Sequence, residues 1–239
     1  MEMLTFFGRV MPSNVGITIP RSRSELVVDA LGLRLSIEFD VVASDLVAIT
    51  RVEGTADLPT IRNYVVEGVS TFLDAAGVLE GLALSLEMRS VALPDGQRVG
   101  LDPRHGQLAT VLGGLTQEQM LAALNAAPTR VGYVLRDLRF ALADPATSAF
   151  WCYRAIETVS RHWAPADDPD DKKNKRWPAM YAALGDNQVD VLRCKALADR
   201  PRHGHNEALS ATDREQALAI AWTVLGRYAR FLTEAAPAS

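Results

Sequence analysis

Several common signals are absent from this chain of 239 residues. Only two cysteines occur, Cys152 and Cys194, which is too few for a disulfide framework, and neither stands in the paired spacing of a structural zinc site. A site built from Cys152, Cys194, His203 and His205 therefore carries little weight, no metal is expected, and buried apolar cysteine is the favoured account. No apolar run reaches the roughly 18 to 20 residues of a membrane-spanning helix, because charges such as Asp45 and Arg51 interrupt the longest candidates. Residues Met1 to Pro12 lack a basic segment followed by a long apolar stretch, so the expectation is a cytoplasmic chain with no membrane partner. Also missing are a phosphate-binding glycine loop, a dinucleotide fingerprint, a nucleophile elbow and a His-Glu-x-x-His helix, which removes the sequence signal of most familiar enzyme classes.

Lysine is scarce as well, with Lys172, Lys173, Lys175 and Lys195 the only four. The formal net charge of -4 excludes a global basic field, so contact with nucleic acid would have to be local. Residues 1 to 130 hold 10 basic and 15 acidic side chains, and the remainder 15 and 14, so what positive charge there is concentrates in the second half. A hydrophobic content of 48% over this length supplies a sizeable core, in one large domain or two smaller ones, and two is the favoured reading.

The first half alternates. Leu33, Leu35, Ile37, Phe39 and Val41 take every second position, as do Leu82, Leu84, Leu86 and Met88, the pattern of half-buried strands. Between them Leu58, Ile61, Val65, Val69, Phe72 and Leu73 recur at helical steps behind Pro59, which suits a first helical turn. Pro94, Asp95 and Gly96 supply turn chemistry for a hairpin. The second half reads as helices: Leu115 to Ala126, Val131 to Ala143, one opening at Asp144-Pro145, one near Val189 to Leu197, and a last one opening with Thr212 and Glu215 as a capping box. That last helix carries Leu218, Trp222, Leu225, Ala229 and Leu232 on one face, widened by Ile220, Val224, Tyr228 and Phe231. The fold class is thus α+β: a mixed strand and helix domain over residues 1–105, a helical connector over 106–130 and an all-α bundle over 131–239.

Two stretches concentrate chemistry. The run from Asp167 to Arg176 sets acidic residues against Lys172, Lys173, Lys175 and Arg176 between Pro165 and the next helix, and reads as a solvated loop whose basic end is a candidate for phosphate-backbone contact. The stretch Ala198-Asp199-Arg200-Pro201-Arg202-His203-Gly204-His205 crowds two arginines and two histidines into what reads as a loop before the last helix. Histidine can move a proton near neutral pH and arginine grips phosphate oxygens with two parallel bonds, a pairing suited to phosphodiester chemistry. The plainer account is that these residues satisfy helix-end carbonyls and water.

From about Val131 to Leu232 the chain resembles the HEPN superfamily of small helical domains. The resemblance rests on the helix Tyr153-Arg154-Ala155-Ile156-Glu157, the segment Trp177 to Leu184, the Ala198-Asp199…Arg202-His203-Gly204 stretch, and the final helix from Thr212-Asp213-Arg214-Glu215. Arg200 and His205, separated by four residues, match the family's Arg, four to six residues, His pattern, with His203 the alternative histidine. Pro201 stands where members commonly carry a small polar residue. What the resemblance implies is a helical bundle that forms a homodimer through its C-terminal helices, bringing two motif copies into one cleft. It further implies a metal-independent RNA endonuclease of a defence or toxin-like system that needs no cofactor, with Arg200, His205 and His203 as catalytic candidates and Arg202, Glu157, Arg161 and Arg154 in support. The alternative is a non-catalytic binding or dimerisation module whose N-terminal domain recognises a protein partner or ligand, presenting an exposed apolar patch or a groove on its sheet.

Overall fold

The computed structural model describes residues 2–101, 111–112, 114–164, 175–185, 188–202 and 209–234, with residues 200–202 described by their backbone. The chain is α+β and divides into two units, Met1–Arg104 with Glu207–Ala211, and His105–Asn206 with Thr212–Ser239. Among the described residues no helix is long and apolar enough to cross a membrane.

The first unit is an antiparallel sheet with one long helix. Strands β1 (Glu2–Met11), β2 (Ile19–Val28), β3 (Leu33–Val42), β4 (Asp45–Glu53), β5 (Ser85–Ala92) and β6 (Arg98–Gly100) are ordered β2-β3-β4-β1-β5-β6. Period-two alternation sends Leu4, Phe6 and Val10 of β1, Leu33 to Val41 of β3, and Leu46, Ala48 and Val52 of β4 to one face, where all are buried. That face meets α1 (Leu58–Glu80), whose buried stripe includes Ile61, Val65, Val69 and Leu73. Asp57 caps the helix by accepting a hydrogen bond from the Thr60 amide at 2.7 Å, and Pro59 sits in the first turn. A side chain at Gly68 would place its Cβ 2.9 Å from Ile37 Cδ1 and 3.1 Å from Ser24 Oγ, so glycine lets helix and sheet approach closely.

The expected strand from Leu82 begins only at Ser85, because the Leu82 amide closes the end of α1 by bonding to the Gly77 carbonyl at 2.8 Å. The Pro94 to Gly96 turn does join β5 to β6 as an antiparallel hairpin. The segment just before the last helix belongs to this unit. Thr60 Oγ1 accepts from the Ala211 amide at 2.8 Å, and the Asn63 side-chain amide donates to the Leu209 carbonyl at 3.3 Å.

The second unit is helical: α2 (Gln117–Ala126), α3 (Pro128–Ala143), α4 (Ser148–Ser160), a 3-10 turn (Arg161–Trp163), α5 (Arg176–Leu184), α6 (Gln188–Arg202) and α7 (Ala211–Glu234). Thr116 and Gln119 form a reciprocal capping box at the start of α2, which packs on α3 within this unit. The core carries Val134 and Leu138 of α3, Cys152, Ile156 and Val159 of α4, and Leu218, Leu225 and Tyr228 of α7. Two helix starts differ from the sequence reading. Asp144 does not cap a helix at Pro145. Its carboxylate accepts from the Ala146 amide at 3.0 Å and from the Thr147 hydroxyl, closing a turn, and α4 begins at Ser148. In α7 the helix already begins at Ala211, so Thr212 lies inside its first turn rather than ahead of it.

Candidate functional site

The arginine and histidine stretch is not a loop throughout. Helix α6 runs to Arg202, so Ala198 to Arg202 form its last turns, Pro201 included. Val191, Cys194 and Ala198 explain why: spaced at helical steps, they are 2% exposed or less, and this packing holds the helix together past the point where proline removes an amide donor. The backbone of Arg200 and Arg202 is therefore helical. His203 and His205 lie outside the described residues, as do Lys172 and Lys173.

The lysine end of the expected solvated run also behaves differently. Lys175 is exposed, but Arg176 is the first residue of α5 and is buried, its guanidinium 5.3 Å from the centroid of the Trp177 ring and its Nε without a hydrogen-bond acceptor. The indole face is one favourable contact for this buried cation.

Arg176 lines a cleft of about 520 Å³ together with Tyr153 and Glu157 of α4, Trp177 and Tyr181 of α5, and Lys195 of α6. Three aromatic rings make one wall. Trp177 lies nearly parallel to Tyr153, with centroids 6.1 Å apart and planes at 10°, and stacks on Tyr181 at 6.2 Å. From α6 the cleft takes Gln188, Val191, Leu192 and Lys195, the i, i+3, i+4, i+7 positions of one helix face. An aromatic wall beside two cations and one carboxylate can stack a planar ring and hold an anionic group next to it.

Two family models match the chain in order: the N-terminal domain of the domain of unknown function DUF8168 over residues 4–100, and its C-terminal domain over residues 117–233. The chain belongs to the DUF8168 family. It matches no curated protein and no solved structure.

In this DUF8168 protein the remaining candidates separate. Among the described candidates, Glu157 joins Arg176 in the cleft. Arg154 turns to α3, its Nε 3.4 Å from Asp137 Oδ2 and its guanidinium 5.1 Å from the centroid of Trp151. Arg161 stands in the 3-10 turn after α4 and lines a different cavity, with Arg130 and His162. Asp137 itself is 1% exposed, and neither Arg154 nor Arg136, at 3.6 Å, gives either of its oxygens a hydrogen bond. Burial pushes its carboxyl up, against the pull of both arginines.

Cys152 and Cys194 are free and buried. Burial raises the Cys152 thiol well above its ordinary value, and the Cys194 thiol to about 12. Both are thus poor nucleophiles and poor metal ligands. Among the described residues no group of three His, Cys, Asp or Glu side chains could hold a metal ion. Sequence reasoning passed over Lys195, Asp137, Arg130 and His162. Only Lys195 left a trace, as the single lysine outside the charged run and on one helical stripe with Gln188 and Leu192.

Proposed function

We propose that the DUF8168 C-terminal unit binds single-stranded RNA and cleaves it without a metal ion, in a cytoplasmic defence or toxin-like role, as a homodimer through its C-terminal helices. The observation that supports this reading is the cleft between α4, α5 and α6, where the Trp177, Tyr153 and Tyr181 rings stand beside Lys195 and Arg176. Aromatic faces stack bases of any identity, and neighbouring cations follow the phosphate backbone, which is the general chemistry of single-strand binding. The helix that contributes Lys195 also carries Arg200 and Arg202 in its last turn. In this reading a histidine, His205 or His203, takes the proton of the RNA 2′-hydroxyl. The resulting oxygen attacks the adjacent phosphorus, the 5′-oxygen departs with a proton, and Arg200 stabilises the charge that develops on the phosphoryl oxygens. The products are a 2′,3′-cyclic phosphate and a 5′-hydroxyl, and no cofactor takes part.

The test is cleavage of labelled single-stranded RNA and tRNA in chelator by the wild type and by Arg200→Ala, His203→Ala, His205→Ala and Trp177→Ala, each shown to be folded by circular dichroism. The expected result is chelator-resistant cleavage with a cyclic-phosphate end that is lost with Arg200→Ala and with one histidine variant, and RNA affinity about tenfold weaker with Trp177→Ala. Cleavage that persists in all the motif variants marks a contaminant and ends the nuclease reading.

A second reading, a non-catalytic module with a partner-recognising sheet, is favoured by the face of the sheet that α1 does not cover. Met3 is 57% exposed and Ile49 36%, and neighbouring strand positions carry Phe7 and Val47, which are half-buried. The occupant in this reading is a second copy of the chain, and Ile49→Arg is expected to convert a dimer in sedimentation equilibrium to a monomer. An unchanged mass would set it aside.

A further inference from the structure

The cavity that receives Arg161 is separate from the aromatic cleft and has its own chemistry. It measures about 580 Å³, within the range of small-molecule sites, and takes Ala126, Ala127, Pro128, Thr129, Arg130 and Tyr133 from the α2 to α3 junction, Thr158, Arg161 and His162 from the end of α4, and Leu232 from α7. Arg130 is the centre of it. Its guanidinium donates to His162 Nδ1 at 3.3 Å and to the Arg161 carbonyl at 3.5 Å, both uncharged acceptors, and no carboxylate among the described residues pairs with it. A half-buried cation facing a cavity without a counter-ion is a place for an anion.

The groups around it are held in the states an anion needs. Arginine has only donors, so its contact requires His162 Nδ1 to be bare and places the ring proton on Nε2. Tyr228 Oη, 3.1 Å from the same Nδ1, secures that arrangement, and Trp163 and Phe231 meet the ring edge-on with centroids 4.7 and 5.5 Å away. Burial and the Arg130 charge hold His162 below its ordinary pKa, so it stays neutral beside the cation. The sixteen-residue helix α3 also opens onto the cavity, with Ala127 at its N-cap making no side-chain cap bond. Its first amides add partial positive charge to that of the two arginines.

We propose that this cavity binds a small organic molecule through a phosphate monoester group, held by Arg130 and Arg161, with the organic part against Tyr133 and Leu232. The volume exceeds what inorganic phosphate alone needs, and the lining also includes the apolar or largely apolar residues Ala126, Ala127, Pro128, Tyr133 and Leu232. The Arg130 guanidinium and a helix start, with Arg161 in the same lining, favour a dianionic monoester over a singly charged diester or carboxylate. The proposal does not depend on RNA cleavage.

The experiment is thermal denaturation and calorimetric titration of the full chain with AMP, ribose 5-phosphate and glycerol 3-phosphate at millimolar concentration. Adenosine, inorganic phosphate and a dinucleotide lacking a terminal phosphate serve as comparisons. At least one monoester is expected to raise the Tm and to bind about tenfold more tightly than all three comparisons. Arg130→Met is expected to weaken that binding about tenfold or more, with Arg161→Met as a second variant should the first unfold, while Arg89→Met on the N-terminal sheet leaves it unchanged. Absence of binding by every monoester overturns the proposal. So does binding no tighter than that of inorganic phosphate or the dinucleotide, or binding indifferent to both arginine substitutions.

Discussion

In the N-terminal unit the polar side chains that are buried among the described residues are all neutral, Ser44, Thr50, Thr60, Asn63 and Ser90, and the ion pairs Arg9 with Asp45, Arg51 with Glu38 and Arg89 with Glu87 stand at the solvent. The C-terminal unit buries three charged side chains, Asp137, Arg176 and Arg214. Neutral groups cost little once bonded, and Ser44, Thr60 and Asn63 are bonded to backbone. A buried charge costs several kcal/mol before its partners offset it. The sheet unit is thus organised as a scaffold with neutral buried polar groups, whereas the helical unit keeps charged side chains in its interior. Departures of that kind concentrate where a protein does its chemistry.

The largest expected effect falls on the scaffold. Phe39 is 1% exposed and meets Phe72 of α1 edge-on, with centroids 5.0 Å apart. Phe39→Ala is expected to cost about 3–5 kcal/mol in urea denaturation, since both the burial and the ring contact are lost. A cost below about 1 kcal/mol would mean that the sheet and helix are not joined by a packed core. Gly68→Leu comes next, at about 1–3 kcal/mol, because the new side chain must displace Ile37 and Ser24. Gly68→Ala isolates the backbone effect: its gain in helix propensity opposes the contact with the movable end of Ile37, so a markedly smaller loss than that of the leucine variant is expected.

How much of this was legible follows the same division. The strand over Leu33 to Val41 and the helix behind Pro59 were readable because one face of each is apolar and the period is unambiguous, and the β5 to β6 hairpin because Pro94, Asp95 and Gly96 carry turn chemistry. Boundaries failed where a side chain or a cap took over from periodicity. Asp144 closes a turn in place of capping a helix, and Leu82 caps α1 in place of entering a strand. The candidate site was legible in residue type but not in arrangement. Glu157 and Arg176 do share a cleft, but Arg176 is buried against Trp177 rather than solvated, and Arg154 belongs to Asp137. Nothing in the local sequence announces that Glu157 meets Arg176 or that Arg154 meets Asp137, because both pairings join residues on different helices and depend on how the helices pack. The Ala198 to Arg202 segment misled for a related reason: proline reads as a helix stop, and tertiary contacts at Val191, Cys194 and Ala198 outweighed it.

In the helical unit the informative charge is Asp137. Its carboxyl is raised by burial, so the folded chain holds the proton more tightly than the unfolded chain does, and the ionised form is the costly one. Its cost is present above the folded pKa and disappears as the pH falls through that value towards the unfolded one. Asp137→Asn is therefore expected to raise stability at neutral pH by about 1 kcal/mol, with the advantage shrinking on acidification. A loss of comparable size at neutral pH would show that Arg136 and Arg154 more than offset the burial, and that the helical unit carries this charge at no cost.

The smallest expected effect returns to the scaffold and asks whether it is free of strain. The hairpin between β3 and β4 turns through Ala43 and Ser44, at φ of 50° and 71°, a left-handed conformation that side chains rarely adopt. Ser44 is held there by its neighbours: its amide donates to the Ile17 carbonyl at 2.7 Å, its carbonyl accepts from Val10 at 2.8 Å, and its hydroxyl oxygen accepts from the Ile17 amide at 3.1 Å. Ala43 is exposed, and only the 3.3 Å bond from its amide to Thr18 Oγ1 involves a side chain. Ala43→Gly should therefore relieve strain without removing a contact, raising stability by about 0.5–1 kcal/mol, less the entropy that glycine returns to the unfolded chain. Ser44→Gly relieves the same strain but deletes the hydroxyl acceptor from a fully buried site, and is expected to come out less stable than Ala43→Gly. If the two substitutions prove equal, the Ser44 hydroxyl contributes nothing to the turn, and the neutral buried groups of the sheet unit are not held by the bonds drawn to them.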